Sequence, residues 1–144
     1  MAGTVVADNI QADSTSTLVL KNGVANTPPT IQDSAGTQIG TFCRAWVNFD
    51  GTTNVGGFCT IRASFNVTTV ADNGTGDYTV NFTTAMADAN YQTSVTPQAT
   101  ATNTGLFGCM RHSSTPTSSA VRVSVHAVDA GFRDSAYVNV AIFR

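Results

Sequence analysis

From Cys43 onward, apolar and polar side chains alternate with the period of two that half-buried strands require. Cys43, Ala45, Val47 and Phe49 fall on one face, opposite Arg44, Trp46 and Asn48. Asp50-Gly51 predicts a turn, Thr53–Gly57 a loop, and Phe58 to Ala63 a second strand. Phe65, Val67 and Thr69 carry one face onward to the turn residues Asp72-Asn73-Gly74-Thr75-Gly76. The clearest strand follows, with Tyr78, Val80 and Phe82 alternating with Asp77, Thr79, Asn81 and Thr83. Further strands are predicted around Tyr91–Pro97, Leu106–His112, Val121–His126 and Ala136–Phe143, and only Thr84–Asn90 could hold a helical turn. This pattern predicts an all-β fold, an antiparallel β-sandwich of about seven or eight strands over residues 41–144. Val138, Val140 and Ile142 make the last strand integral to the sheet, so its truncation should be costly.

Residues 1–40 read differently. Thr17–Lys21 runs into Asn22-Gly23, a hairpin-type turn signal, and Thr27–Ile31 is an extended, donor-poor stretch around Pro28-Pro29. Asp33-Ser34-Ala35-Gly36 predicts another turn. These residues carry too few large apolar groups for a core of their own. They are expected to form an extended or β segment, for attachment or trimerisation, ordered by docking on copies of itself.

Composition removes the helical alternative. Glutamate is absent, lysine occurs once (Lys21) and leucine three times, whereas there are 23 threonines and 16 valines. The straight-chain helix formers are thus nearly missing, and branched residues suited to a pleated surface stand in their place. Charged residues make up 11% of the chain and the formal net charge is −2. The six arginines are scattered, which argues against a nucleic-acid partner held by phosphate neutralisation. No secretory signal and no apolar run long enough for membrane insertion is expected. Cys43, Cys59 and Cys109 cannot all pair within one chain. A Cys43–Cys59 bridge across neighbouring strands is conceivable, but buried free thiols are the expected state. The sequons at Asn66, Asn73 and Asn81 are what a threonine-rich chain produces by chance.

Residue constellations with catalytic chemistry are scarce in the sequence. There is no Gly-x-Ser-x-Gly elbow. Cys109 and His112 stand three residues apart, which on a strand puts them on opposite faces, so a buried thiol and a surface imidazole are expected. Cys109, His112, His126 and another cysteine have zinc-ligand chemistry but lack the paired spacing of a metal site. The nine aspartates lie mostly in turns; Asp72–Asp77 lacks the bidentate glutamate of a calcium loop and reads as a tight inter-strand turn. No cofactor is expected. Trp46, opposite Val47 and Phe49, is either an exposed platform for a sugar or partner chain, or part of a second core in a two-layer or trimeric assembly; the second is expected.

Two sequence blocks are distinctive: Cys43-Arg44-Ala45-Trp46-Val47-Asn48-Phe49-Asp50-Gly51, and Ile61-Arg62-Ala63-Ser64-Phe65-Asn66-Val67 followed by Asp72 to Phe82. Together with Thr30–Thr37 ahead of them, they resemble a module of tailed-bacteriophage tail-fibre and tail proteins, found especially in phages of marine bacteria and cyanobacteria. The resemblance covers roughly residues 28–96 and carries no catalytic residues. It implies a virion protein, made in the bacterial cytoplasm, with homotrimeric symmetry. Two non-enzymatic roles follow as expectations. One is a short trimeric tail-fibre-type protein whose loops touch a host-surface glycan or protein. The other is a capsid decoration (cement) protein gripping the major capsid protein through residues 1–40. Loops at Thr53–Gly57, Ala99–Gly105 and Ser113–Ser119 are the expected contact sites. A glycan-cleaving enzyme would need paired acidic side chains in an aromatic groove, and no such pair is recognisable.

Overall fold

The computed structural model describes residues 31–99, 105–128 and 131–144. Two short strands, β1 (Ile31–Gln32) and β2 (Gln38–Gly40), form a small hairpin ahead of the main body. Its turn is the expected one: Asp33 Oδ1 accepts from the backbone N–H of Ala35 and of Thr37, and Gly36 adopts φ +82°. Beyond it lie β3 (Cys43–Val55), β4 (Phe58–Phe65), β5 (Val67–Asp72) and β6 (Asp77–Phe82). They are followed by β7 (Gln92–Pro97), β8 (Leu106–Met110), β9 (Ala120–Ala127), β10 (Gly131–Phe132) and β11 (Val138–Phe143).

These nine strands make one antiparallel sheet, in the order β10-β9-β6-β5-β4-β3-β11-β7, with β8 on the other edge of β9. The sheet curls over at the thin β4–β5 junction, where Phe58↔Ala71 is the only ladder pair. One layer is then β7-β11-β3-β4, and the facing layer is β5-β6-β9-β8, with β10 continuing the line of β6. The free edges of β7 and β8 meet at Gly108. A Cβ there would fall inside the Val95 side chain and 3.0 Å from its carbonyl oxygen. The curled sheet therefore nearly closes, which shields two edges that would otherwise invite pairing with other chains.

The predicted alternation fills the space between the layers. Ala45, Val47 and Phe49 of β3 and Val138, Val140 and Ile142 of β11 face Tyr78 and Val80 of β6 and Val121, Val123 and Val125 of β9, all at most 2% exposed. The last strand lies between β3 and β7, as its pattern implied.

Four expectations are corrected. Asp50-Gly51 does not turn the chain; β3 runs through it to Val55, and only Gly56-Gly57 turns, both at positive φ. Gly51 is needed instead for close approach: its N–H donates to the Ser135 carbonyl at 2.9 Å, its carbonyl accepts from the Tyr78 hydroxyl at 3.0 Å, and a Cβ would strike that hydroxyl. Phe65, Val67 and Thr69 do not continue one face of a single strand. Asn66, at φ +56°, breaks the run, leaving Phe65 exposed and Val67 buried. Its side chain holds that break by donating to the Arg44 and Thr84 carbonyls. Thr84–Asn90 forms no helical turn. It crosses between layers as irregular chain, with Met86 buried and its N–H bonded to the Ser118 carbonyl. The cysteines are free thiols, as expected, but two of the three are not buried. Cys43 and Cys59 stand at opposite ends of the β3–β4 pairing. Only Cys59 is buried, and burial first, then the charges of Asp72, Asp134 and Asp50, push its thiol up to about 12.

The predicted attachment segment, residues 1–40, falls outside the described residues up to Thr30.

Tyr78 is the largest fully buried side chain and ties both layers together. Its ring meets Phe49 edge-on at 5.0 Å, and its hydroxyl reaches both the Gly51 carbonyl and Asp134 Oδ1. Tyr78→Phe should therefore lower unfolding free energy by about 1–3 kcal/mol, by stranding a buried acceptor. Gly51→Ala should cost at least as much through overpacking. Denaturant midpoints of the two variants against the unmutated chain check both.

Candidate functional site

The two outer faces of the sandwich carry different chemistry. On the first layer, the register aligns Phe65, Trp46 and Ala141 across β4, β3 and β11, while Phe143 pairs with Cys43 at the strand end. Trp46 is 41% exposed and Phe65 55%, and Phe143 and Phe42 are also exposed. Ile39 of β2 stands just before them in the chain, 65% exposed. This apolar group occupies the end of the sandwich where the chain comes in from residue 31, pinned by the Thr41 hydroxyl donating to the Arg144 carbonyl at 2.6 Å. Farther along the same face the surface turns polar. The Asn48 amide donates to Asn139 Oδ1, and Arg62 bonds Asp50 at 2.7 Å while lying over the Tyr137 ring.

On the second layer, the register builds a grid of side chains across β8, β9 and the β6/β10 line. One row is Phe107, His126 and Phe132; the next is Cys109, Ser124 and Asp77. A third row holds Arg111 and Arg122, whose strands are joined there by the Arg111 N–H to the Arg122 carbonyl. Asp77, 7% exposed, accepts from Arg122 Nε at 2.7 Å and from Arg111 Nε at 3.1 Å. Arg111 also lies over the Phe132 ring. The His126 ring is held between Phe107, stacked at 5.3 Å, and Phe132, tilted at 4.4 Å. Its Nε2 stands 3.0 Å from Ser124 Oγ, which in turn is 3.4 Å from Cys109 Sγ. Ser124 points outward yet is only 1% exposed, because its neighbours in the grid cover it.

The expected site residues distribute unevenly over this frame. Cys109 is exposed, not buried, and the imidazole near it belongs to His126; His112 lies exposed beyond the end of β8. Cross-strand register, not chain spacing, makes that neighbourhood. Among the described residues, no group of three or more His, Cys or acidic side chains is arranged to hold a metal ion. Asp72–Asp77 is the tight turn expected, with Asp72 Oδ1 accepting from the Gly74 N–H and the Asp77 N–H bonded to the Gly74 carbonyl. Trp46 does face away from Val47 and Phe49, and the second core expected to cover it is not supplied by the described residues, which leave it 41% exposed.

The contact loops separate as well. The Val55–Phe58 tip and both ends of the β7–β8 connection lie at the far end of the sandwich, whereas Ser113–Ser119 lies at the incoming end beside Phe82 and Met86. Residues 100–104 of the Ala99–Gly105 loop fall outside the described residues. Compared with known protein families, curated proteins and solved structures, the chain matches none.

Burial pushes the Asp77 carboxyl up, but hydrogen bonds and charge from Arg122 and Arg111 outweigh it and hold the group below its ordinary 3.8. A carboxyl depressed in the folded state stabilises fully above its unfolded value and loses that contribution as pH falls through the folded value. Stability should thus decline as pH drops below about 3.8. Asp77→Asn should be less stable at neutral pH and show a flatter acid dependence, read from denaturant midpoints across that range.

Proposed function

We propose that this chain is a non-enzymatic structural component of a tailed-bacteriophage virion: a short homotrimeric tail-fibre-type protein. The sequence resemblance over the Cys43–Gly51 block and the β4–β6 region supports the virion setting. The observation that carries the homotrimer is the apolar group formed by Phe42, Trp46, Phe65 and Phe143 at the incoming end of the sandwich. Aromatic side chains this exposed and this close together mark a surface that is covered in the working assembly. The chain from Ile31 enters β3 at this same end, so packing of three copies there brings their β1–β2 hairpins together as well.

The opposite end then points away from the particle. It presents the Gly56-Gly57 hairpin tip, flanked by Val55 at 72% and Phe58 at 45% exposure, as the host-facing contact. Charged residues make up only 11% of the chain, in keeping with a protein that works by contact.

Sedimentation velocity on the full chain at micromolar concentration should give a trimer. Trp46→Ser combined with Phe143→Ser, both outside the core, should shift it towards monomer without unfolding it. A well-folded monomer from the unmutated chain would sink the trimeric reading. Copy number in purified virions tests the location. A value set by tail symmetry supports a fibre, whereas one matching the capsid subunits would replace it with capsid decoration. Release of sugars from host envelope by the pure protein would overturn the non-enzymatic reading.

A further inference from the structure

The cluster on the second layer has a chemistry that a purely structural role does not use. Cys109 and Ser124 are direct cross-strand partners, and His126 is two residues along from Ser124 on the same face of β9. The three side chains form a continuous chain, with Sγ to Oγ at 3.4 Å and Oγ to Nε2 at 3.0 Å. A serine hydroxyl can accept one hydrogen bond while donating another, so it can pass a proton between its two neighbours. The imidazole is fixed for that purpose by the Phe107 and Phe132 rings on either side. Cys109 itself is exposed, so a reagent can reach the sulfur.

We propose that Cys109 is a reactive thiol served by a Ser124–His126 proton relay, and that it forms mixed disulfides with small disulfide compounds. The thiol proton passes to Ser124 Oγ as the Ser124 proton passes to His126 Nε2. The sulfur attacks one sulfur of the disulfide; the S–S bond of the reagent breaks and a new one forms to Cys109. The leaving thiolate takes the proton back from the imidazolium, so one thiol and one disulfide give a different disulfide and a different thiol. Ser124 Oγ is in contact with this sulfur and His126 stands behind it, while by register Asp77 of β6 lies in the same row beyond Ser124, and Arg111 and Arg122 lie in the adjoining row. The other two cysteines lack this arrangement: Cys59 is buried, and the Cys43 thiol donates to the Ala45 carbonyl.

A neutral aromatic disulfide such as 4,4′-dithiodipyridine, mixed with the full chain at neutral pH, reads the reaction through the released thiopyridone. Peptide mass mapping identifies the modified cysteine. Cys109 should react first, about tenfold faster than the same cysteine in an unstructured Leu106–His112 peptide. His126→Gln keeps a polar group of similar reach but no relay base, and should bring the rate down to that of the peptide. Ser124→Ala should do the same. Because the chain-to-peptide comparison needs no variant, it stands even if a substitution disturbs the fold. A Cys109 rate equal to or below the peptide rate, or one unchanged in folded His126→Gln, would overturn the relay.

Discussion

The hydroxyl of Tyr78 sits where four parts of the chain must agree on their positions. It reaches the carbonyl of Gly51 in β3 and the carboxylate of Asp134 just before β11. The same Asp134 oxygen takes the N–H of Gly76 at the turn into β6, at 2.7 Å. Ser135, next along, accepts the Gly51 N–H on its carbonyl, and its hydroxyl is within reach of the Gln98 and Tyr137 carbonyls. Burial first, then Asp134, push the phenol above its ordinary range, so it stays protonated and can act as the donor. Each layer of the sandwich contributes to this knot, and neither can slide without breaking it. Both Gly51 and Gly76 are glycine for the same reason: a Cβ at either would occupy space already filled by the knot or the adjoining backbone.

That constraint explains what could be read from the sequence and what could not. Alternation gave the inward faces of β3, β6, β9 and β11, because facing a core is a property each strand encodes for itself. Asp50-Gly51 misled because turn propensity is local, whereas the demand that fixes Gly51 comes from Tyr78, 27 residues away in sequence. Asn66 misled in the opposite sense. Nothing in an apolar alternation announces a left-handed residue, yet the Asn side chain can secure one by bonding carbonyls on two other segments.

Much of the second-layer cluster was legible in kind but not in place. Cys109 and His112 have the residue types of a thiol and its base, but their spacing on a strand puts them on opposite faces and so argues against that pair. The register of β8 against β9 brings Cys109 to Ser124 and so to His126 instead, seventeen positions along the chain. Ser124 gave no signal at all, since an outward serine in a strand is ordinary until its neighbours bury it. Trp46 was placed on the correct face by alternation, but its cover cannot be read from a strand pattern, because it belongs to whatever packs outside the strand.

The two outer faces also differ in what they leave unfinished. On the second layer, Asp77 is matched by Arg111 and Arg122, and the Phe107 and Phe132 rings are each packed against His126, so that face is largely satisfied by its own chain. At the incoming end of the first layer, Trp46, Phe65 and Phe143 have no comparable arrangement and keep large apolar areas in water. The cost of leaving such surface wet scales with its area, so an assembly gains most by covering this end first. Under the proposed virion role, that asymmetry orients the protein. The Trp46 end turns towards neighbouring copies and the particle, the Gly56-Gly57 tip turns outward, and the Cys109 face remains on the flank, open to solvent and to small reagents.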